Sequence, residues 1–310
     1  MFIINYLDMK FSQLLFIAII IAFFSCQDKE KEPCNYITDY HQYIYQAEIA
    51  YLKEDYQNAY DLIKKAEKNC TLLNQTAIYE PRMMAEICIR LDKKEEVFPY
   101  LYMLLENGMP FSSVLNNMAF EPLFEMPEWE NFATKAPEIE TQFLSSINKD
   151  LRNEIIEMNY QDQLYRTGNS DYEKMQFVDS INENRIKEIF ETYGYPSDKL
   201  IGPSTVDEHT DITAMLMHFK DTTYFKPILL DYIKKGDAPP RILPSMIDSR
   251  LRRAEQFWYG IYNNADSTKI KDFKNIDKRR VAVGLRPYQM EKEYFELIRK
   301  KYNIDDSYFN

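Results

Sequence analysis

Eight polar side chains in the second half of the chain are of the types that bind small polar ligands or transfer protons. Asp162, Gln163 and Arg166 fall within one turn of a predicted helix. Asp179 and Asn182 lie three positions apart on the next predicted helix, so they share a face. Three more, on later helices, are His218, Asp248 and Arg250. Carboxylate, amide, imidazole and guanidinium groups together can hold a polar ligand or act as general acid and base.

These eight residues divide into two predicted roles. The candidate catalytic residues are Asp162, Arg166, Asp179 and His218, and the candidate ligand-binding residues are Gln163, Asn182, Asp248 and Arg250. The alternative interpretation is a buried hydrogen-bonded network that fixes the packing of the helices. Whether the protein is an enzyme is therefore left open at this point.

The sequence predicts neither a bound metal ion nor a cofactor. It contains three histidines and no H-E-x-x-H, G-x-S-x-G, P-loop or G-x-G-x-x-G pattern. The residues Asp207, Glu208, His209 and Asp211 are clustered in sequence. Acidic residues in the first turn of a helix are explained by the helix dipole, so we do not interpret this cluster as a metal site.

Amphipathic helices between residues 138 and 302 must position the eight side chains. Apolar residues recur every three or four positions from Ile139 to about Gln163, which predicts one connecting helix. Thr205 and Glu208 have the spacing of a capping box and predict that another helix begins there. Gly194 and Gly236 each predict the end of a helix. This second unit is therefore expected to be almost entirely α-helical.

The order of several short motifs in this unit resembles a known bacterial domain. The motifs are Asp162-Gln163-x-x-Arg166, Asp179-x-x-Asn182, Tyr193-Gly194-Tyr195-Pro196, His218, Asp248-Ser249-Arg250, Tyr259-Gly260 and Arg280-x-x-x-Gly284-Leu285. In this order they resemble the uncharacterised domain of unknown function 6624, over roughly residues 154 to 301. The chain departs from that family's pattern at Tyr195, Met217 and Ser249, among other positions. The resemblance implies a helical fold that often follows tetratricopeptide-like segments, and it implies no particular reaction.

Two helical hairpins are predicted between residues 36 and 137. The first hairpin has small residues at a spacing that lets two helices approach closely. The residues that follow this spacing are Ala47, Ala50, Tyr56, Ala59, Ile63 and Ala66. The same spacing recurs 38 residues later, at Ala85, Cys88, Val97, Leu101 and Leu104. The pattern resembles the tetratricopeptide repeat, which implies peptide or partner binding in a concave face. A purely structural role for the two repeats, or a generic helical bundle, are the alternatives.

The cysteines suggest one disulfide. In a helical hairpin the start of the first helix lies beside the end of the second, which brings Cys34 near Cys70. Outside the cytoplasm the two can form a disulfide, and the alternative is a pair of free thiols. Cys88 lies on an apolar face and is predicted to be part of the core.

The N-terminus has the features of an exported, lipid-anchored protein. Lys10 precedes an apolar run from Phe11 to Phe24, which is followed by Ser25-Cys26. This pattern is typical of a signal peptide and resembles a bacterial lipobox. The resemblance implies cleavage before Cys26 and lipidation of its sulfur, with an uncleaved membrane helix as the alternative. We therefore predict an outer-membrane lipoprotein of a Gram-negative bacterium, facing either the periplasm or the cell surface.

Charge excludes one class of partner. The formal net charge is −11, so binding to nucleic acid is not expected. Residues 241 to 301 nevertheless hold 15 basic and eight acidic side chains. This basic segment is predicted to dock on the acidic first half of the chain or to form a solvated face, rather than to bind an external anion.

Together these observations predict an all-α protein. The expected divisions are a signal peptide at 1–25, a tether at 26–35, a tetratricopeptide-like domain at 36–137, a helical domain at 138–302 and a tail at 303–310. The predicted function is an envelope-anchored interaction or scaffold module that binds a protein partner through its repeats. The alternative is an enzyme or small-ligand binder that uses the polar side chains of the C-terminal domain.

Overall fold

The described part of the chain folds into α-helices joined by turns and loops, which confirms the predicted all-α fold. The structure is a computed structural model that describes residues 34–75, 79–166, 170–205, 208–254, 256–262 and 266–303. These ranges contain fifteen α-helices, five short 3₁₀-helices and one isolated β-bridge, between Phe257 and Ile270. Cys26, the predicted signal peptide and most of the predicted tether and tail lie outside the described residues.

The first seven helices contain the two predicted hairpins. They are α1 (Tyr36–Asp39), α2 (His41–Leu52), α3 (Tyr56–Glu67), α4 (Glu80–Arg90), α5 (Phe98–Glu106), α6 (Phe111–Leu115) and α7 (Pro127–Ser146). The hairpins pair α2 with α3 and α4 with α5. Ala47, Ala59 and Ala66 are fully buried where α2 meets α3, because only small side chains allow the helices to approach so closely.

The turns of the two hairpins are built alike. Glu54 ends the first turn with a φ of 64°, and Asp92 ends the second with a φ of 56°. The amide of Asp55 donates to the carbonyl of Ala50 at 2.9 Å, and the amide of Lys93 donates to the carbonyl of Cys88 at 2.8 Å. Each pair of equivalent positions is 38 residues apart, which is the period predicted from the sequence.

Eight further helices complete the described chain. They are α8 (Lys149–Leu164), α9 (Tyr172–Tyr193), α10 (Asp198–Ile201), α11 (Thr213–Leu216), α12 (Thr222–Lys235), α13 (Ile242–Leu251), α14 (Ile276–Val281) and α15 (Tyr288–Tyr302). The single connecting helix predicted from Ile139 to Gln163 was wrong. Ile147 adopts an extended conformation, and the side chain of Asn148 accepts a hydrogen bond from the Leu151 amide, which caps α8 as a new helix.

The helix predicted to begin at Thr205 is also shorter than expected. The Thr205 hydroxyl does accept a hydrogen bond from the amide of Glu208 at 3.2 Å. However, α11 begins only at Thr213, where Asp211 accepts from the Thr213 amide at 2.8 Å. A side-chain hydroxyl that accepts a hydrogen bond from an amide three residues later occurs both in turns and at the starts of helices. The spacing of Thr205 and Glu208 therefore does not by itself show where a helix begins.

The C-terminal segment packs on the first hairpin. Gln42, Tyr45 and Glu48 follow one another at intervals of three along α2. The side chains of Gln42 and Tyr45 donate to the carbonyls of Leu285 and Gly284, at 3.0 and 2.8 Å. Glu48 forms a buried ion pair with Arg286, which directly follows Leu285 in the chain. Of the two alternatives for the basic segment, these contacts show docking on the first half at Gly284, Leu285 and Arg286.

The two halves also share their cores. Ile37 of α1 belongs to the apolar cluster formed mainly by α8, α9 and α11–α13. Tyr294 of α15 belongs to the cluster formed by the two hairpins. The chain from Cys34 onward forms one compact unit. Each half therefore buries an element of the other, which makes their packing mutually dependent.

Candidate functional site

Three of the predicted residues form an ion-paired triad between α8 and α9. Arg166 donates to Asp162 from Nη2 at 3.0 Å and from Nε at 3.3 Å, and it also forms an ion pair with Asp179. Burial by itself lowers the pKa of the Arg166 guanidinium, but hydrogen bonds and charges from the two carboxylates raise it above its ordinary value. Burial raises the pKa of Asp179, despite the opposing charges of Arg166 and His218. The triad joins the C-terminal end of α8, which Arg166 follows by two residues, to α9.

His218 lies beside the triad. Its Nε2 is 4.0 Å from Oδ2 of Asp162, which is too far for a hydrogen bond but close enough for an electrostatic interaction. The His218 side chain is 32% exposed, whereas that of Asp162 is 1% exposed. Burial and the positive charge of Arg166 lower the pKa of the imidazole, while the two carboxylates oppose this effect. His218 is therefore the member of the group that is neutral near pH 7 and in contact with solvent.

Helix α13 holds the segment that carries His218. The Ser249 hydroxyl donates to the carbonyl of Met217 at 2.9 Å. Arg250 donates from Nη1 to the carbonyls of Phe219 and Lys220, at 3.0 and 2.6 Å. These bonds satisfy carbonyl groups on both sides of His218, so they fix the position of the imidazole relative to the triad.

These groups open onto a cleft of about 740 Å³. The charged residues and the histidine in its lining are Arg166, Asp179, His218, Lys220, Arg250 and Arg252. Asp179, the carboxylate in this lining, is paired with Arg166, so Lys220, Arg250 and Arg252 leave an excess of positive charge at the wall of the cleft. Lys220 and Arg252 were not predicted from the sequence, because an exposed lysine or arginine carries no signal that separates it from any other surface charge.

Two of the remaining predicted site residues, Gln163 and Asn182, hydrogen-bond within the protein and lie outside the cleft. Gln163 donates to Oδ2 of Asp162 at 2.6 Å. Asn182 is buried and donates to the carbonyl of Met158 at 3.5 Å. Neither lines the cleft. Their positions match the alternative interpretation, in which polar groups fix helix packing.

Asp248 organises a loop instead of joining the cleft. It is completely buried, and it accepts hydrogen bonds from the amides of Trp258, Tyr259 and Ile261, at 2.7, 3.0 and 3.3 Å. Burial raises the pKa of its carboxyl group, and these amide bonds oppose that shift. Side chains two positions apart on a helix point to different faces, so Arg250 lines the cleft together with Ser249, whereas Asp248 faces the loop.

Cys34 and Cys70 are joined in a disulfide with a Cα–Cα distance of 5.4 Å. The pairing is the one that the geometry of the first hairpin predicts. It ties the segment before α1 to the segment that follows α3. Cys88 is a free, fully buried thiol, and its burial raises its pKa to about 12.

The chain matches no protein-family model, and comparison with curated proteins and with solved structures found no match. In the ranges that the structure describes, no cluster of histidine, cysteine, aspartate or glutamate has the composition of a metal site. None of the described helices has the length and apolar character needed to cross a bilayer. The cleft beside His218 is therefore the feature from which a function can be proposed.

Proposed function

We propose that this protein binds a small anionic ligand in the cleft beside His218. The observation that carries the proposal is the arrangement of Lys220, Arg250 and Arg252 around a neutral, partly exposed imidazole. Phosphate and carboxylate groups are recognised by such basic side chains, and a cleft wall of low dielectric strengthens their attraction. His218 can add a hydrogen bond, and a further positive charge when it is protonated.

Inorganic phosphate tests this proposal through the pKa of His218. A bound anion near the imidazole favours its charged form, so we expect phosphate to raise the pKa of His218 by about 0.5 or more. By the same linkage, phosphate binds more tightly as the pH falls through that pKa. The measurement is an NMR titration of the histidine ring protons of the full chain, with and without phosphate at constant ionic strength. Burial lowers the pKa of His41 to about 3, so its signals provide an internal reference that does not move.

Two variants decide whether the cleft is responsible. Lys220→Ala combined with Arg252→Ala should abolish the effect of phosphate on His218. Lys274→Ala removes an exposed basic residue that does not line the cleft, so it should leave the effect intact. If phosphate leaves the His218 titration unchanged in the unsubstituted protein, the anion proposal is wrong.

A protein-interaction role is the second candidate. The segment from Gly284 to α15 already covers one face of α2, which supports an internal scaffolding role for the repeats. A protein partner would more readily meet α9, where Phe177 and Ile181 are 67% and 51% exposed one helical turn apart. A negative result in the phosphate titration would favour this candidate over the ligand-binding one.

We further propose that Cys26 carries a lipid that anchors the protein at the outer membrane. The support is the apolar run that ends at Ser25-Cys26. Cys34 lies eight positions after Cys26, so the Cα atom of Cys34 is at most about 27 Å from that of the anchoring residue. Cys26→Ala should move the protein from the membrane fraction to the soluble fraction after cell lysis. Continued recovery of the variant with the membranes would argue against the anchor.

A further inference from the structure

The cleft beside His218 is larger than a simple anion needs. Its volume is about 740 Å³, which falls within the range of roughly 300–1,000 Å³ that holds organic molecules of drug size. Inorganic phosphate or a single carboxylate group would fill only the part next to the basic side chains. The uncharged part of the lining therefore indicates what the organic part of a ligand is.

One wall of the cleft is a single stripe of α9. The lining residues on this stripe, spaced by three, one and three positions, are Tyr172, Met175, Gln176 and Asp179. At these intervals the four side chains share one face of the helix. Asp179 is partly buried and paired with Arg166, whereas Tyr172, two turns closer to the N-terminus of α9, is exposed. The wall therefore changes from an ion pair to uncharged side chains, and it ends at the rim in an aromatic residue.

The backbone around Tyr172 is held by local hydrogen bonds. The amide of Asp171 donates to the carbonyl of Tyr165 at 3.2 Å. The side chain of Asp171 accepts from the amide of Lys174 at 3.1 Å, which caps α9. With the backbone fixed in this way, a ligand has to order only the two side-chain dihedral angles of the tyrosine, so stacking on its ring costs little conformational entropy.

The wall that carries His218 combines a thioether with the basic residues. Met217 directly precedes His218 and, like Met175, is a partly exposed residue of the lining. Methionine sulfur atoms interact favourably with aromatic rings. Lys220 and Arg252 bring the positive charge that phosphate groups require. The two kinds of lining are matched by one molecule that has a phosphate group at one end and a ring at the other.

We propose that the ligand of the cleft is a small phosphate ester whose organic part carries a planar ring. The phosphate group binds the basic residues beside His218, and the ring stacks on Tyr172. The amide of Gln176 can donate to and accept from polar atoms of the ring. This inference rests on the proposed anion binding and adds the chemical class of the ligand. Aryl phosphates and mononucleotides share this chemistry, and they differ in the distance between phosphate and ring.

Calorimetric titration of the full chain in detergent tests the proposal with two matched pairs of esters. Phenyl phosphate is compared with ethyl phosphate, and adenosine 5′-monophosphate with ribose 5-phosphate. At about pH 8 both members of a pair are dianionic, so each pair differs chiefly in the ring. We expect the ring-bearing ester to bind at least about fivefold more tightly in one or both pairs. The pair with the larger ratio shows which spacing of phosphate and ring the cleft accepts.

The possible results separate this inference from the anion proposal. If both members of each pair bind equally well, the ring is not recognised and the inference is wrong, whereas the anion proposal stands. If none of the four esters binds, the anion proposal fails together with the inference.

Two tyrosine variants locate the ring. Tyr172→Ala is expected to weaken binding of the preferred ring-bearing ester by about tenfold, as when a stacking aromatic side chain is removed, and to leave the ringless ester unaffected. Tyr160→Ala is the matched control, because Tyr160 is 59% exposed, against 58% for Tyr172, and does not line the cleft. It should leave both affinities unchanged, and melting curves confirm that the variants are folded. A Tyr172→Ala variant that keeps the full preference for the ring would reject the inference.

Discussion

Replacing Arg286 with methionine is expected to lower the free energy of unfolding by about 3–5 kcal/mol, since it leaves Glu48 as an uncompensated buried charge. Glu48 is fully buried and Arg286 is 7% exposed. The guanidinium also lies 3.8 Å from the ring centroid of Tyr294 and 4.5 Å from that of Tyr45. Burial raises the pKa of Glu48, and the charge of Arg286 opposes this shift. Equilibrium unfolding in urea measures the loss.

Two control variants separate the buried charge from loss of contact. Lys53, just after α2, forms an ion pair with Glu293 of α15, but the side chains of this pair are 50% and 43% exposed. Lys53→Met should therefore cost less than about 1 kcal/mol. The double variant Glu48→Met/Arg286→Met removes both buried charges and should recover most of the stability lost in Arg286→Met. An Arg286→Met variant no less stable than Lys53→Met would contradict this account of the interface.

Removing the Cys34–Cys70 disulfide is the second change with a large expected effect. The bridge closes a loop with a sequence separation of 36 residues. A loop of that length restricts the unfolded chain by about 3–4 kcal/mol in the chain-entropy model. Cys34→Ala/Cys70→Ala should therefore lose a similar free energy of unfolding, as measured by urea denaturation.

Reduction provides the control for that experiment. A reducing agent should destabilise the unsubstituted protein to the level of the double variant, and it should leave the double variant unchanged. Cys88 is present in both proteins, so its thiol does not account for a difference. Reduction should also add the mass of two hydrogen atoms to the intact protein. A mass that does not change on reduction would show that the disulfide is absent.

Features that depend on nearby residues were predictable from the sequence. The spacing of Ala47, Ala50 and Ala59 predicts two closely packed helices, because the same few residues both form and pack the hairpin. The spacing of Asp162 and Arg166 by four similarly predicts that their side chains meet on one helix face. Cys34 and Cys70 could be paired because one hairpin brings both ends of its sequence together. In each case the physical cause lies within one or two helices.

Weak local signals misplaced some helix boundaries. The apolar spacing through Ile147 continues across the junction of α7 and α8, so periodicity alone does not detect the break there. Asn148 does have the side chain of an N-cap, but an asparagine in a helical pattern has many other roles. Thr205 illustrates the same difficulty, because its hydrogen bond to Glu208 is compatible with a turn that is not extended into a helix.

The sequence by itself determined the helical fold, the two hairpins and the types of side chain available for a site. Only the tertiary structure decided that Asp248 supports a loop, that Asn182 supports α8, and that His218 faces a cleft. It also decided that Glu48 meets Arg286, a residue 238 positions away. Helix periodicity specifies which face of a helix is buried, whereas the partner of that face depends on how all the helices pack together. Packing at that range leaves no local pattern in the sequence.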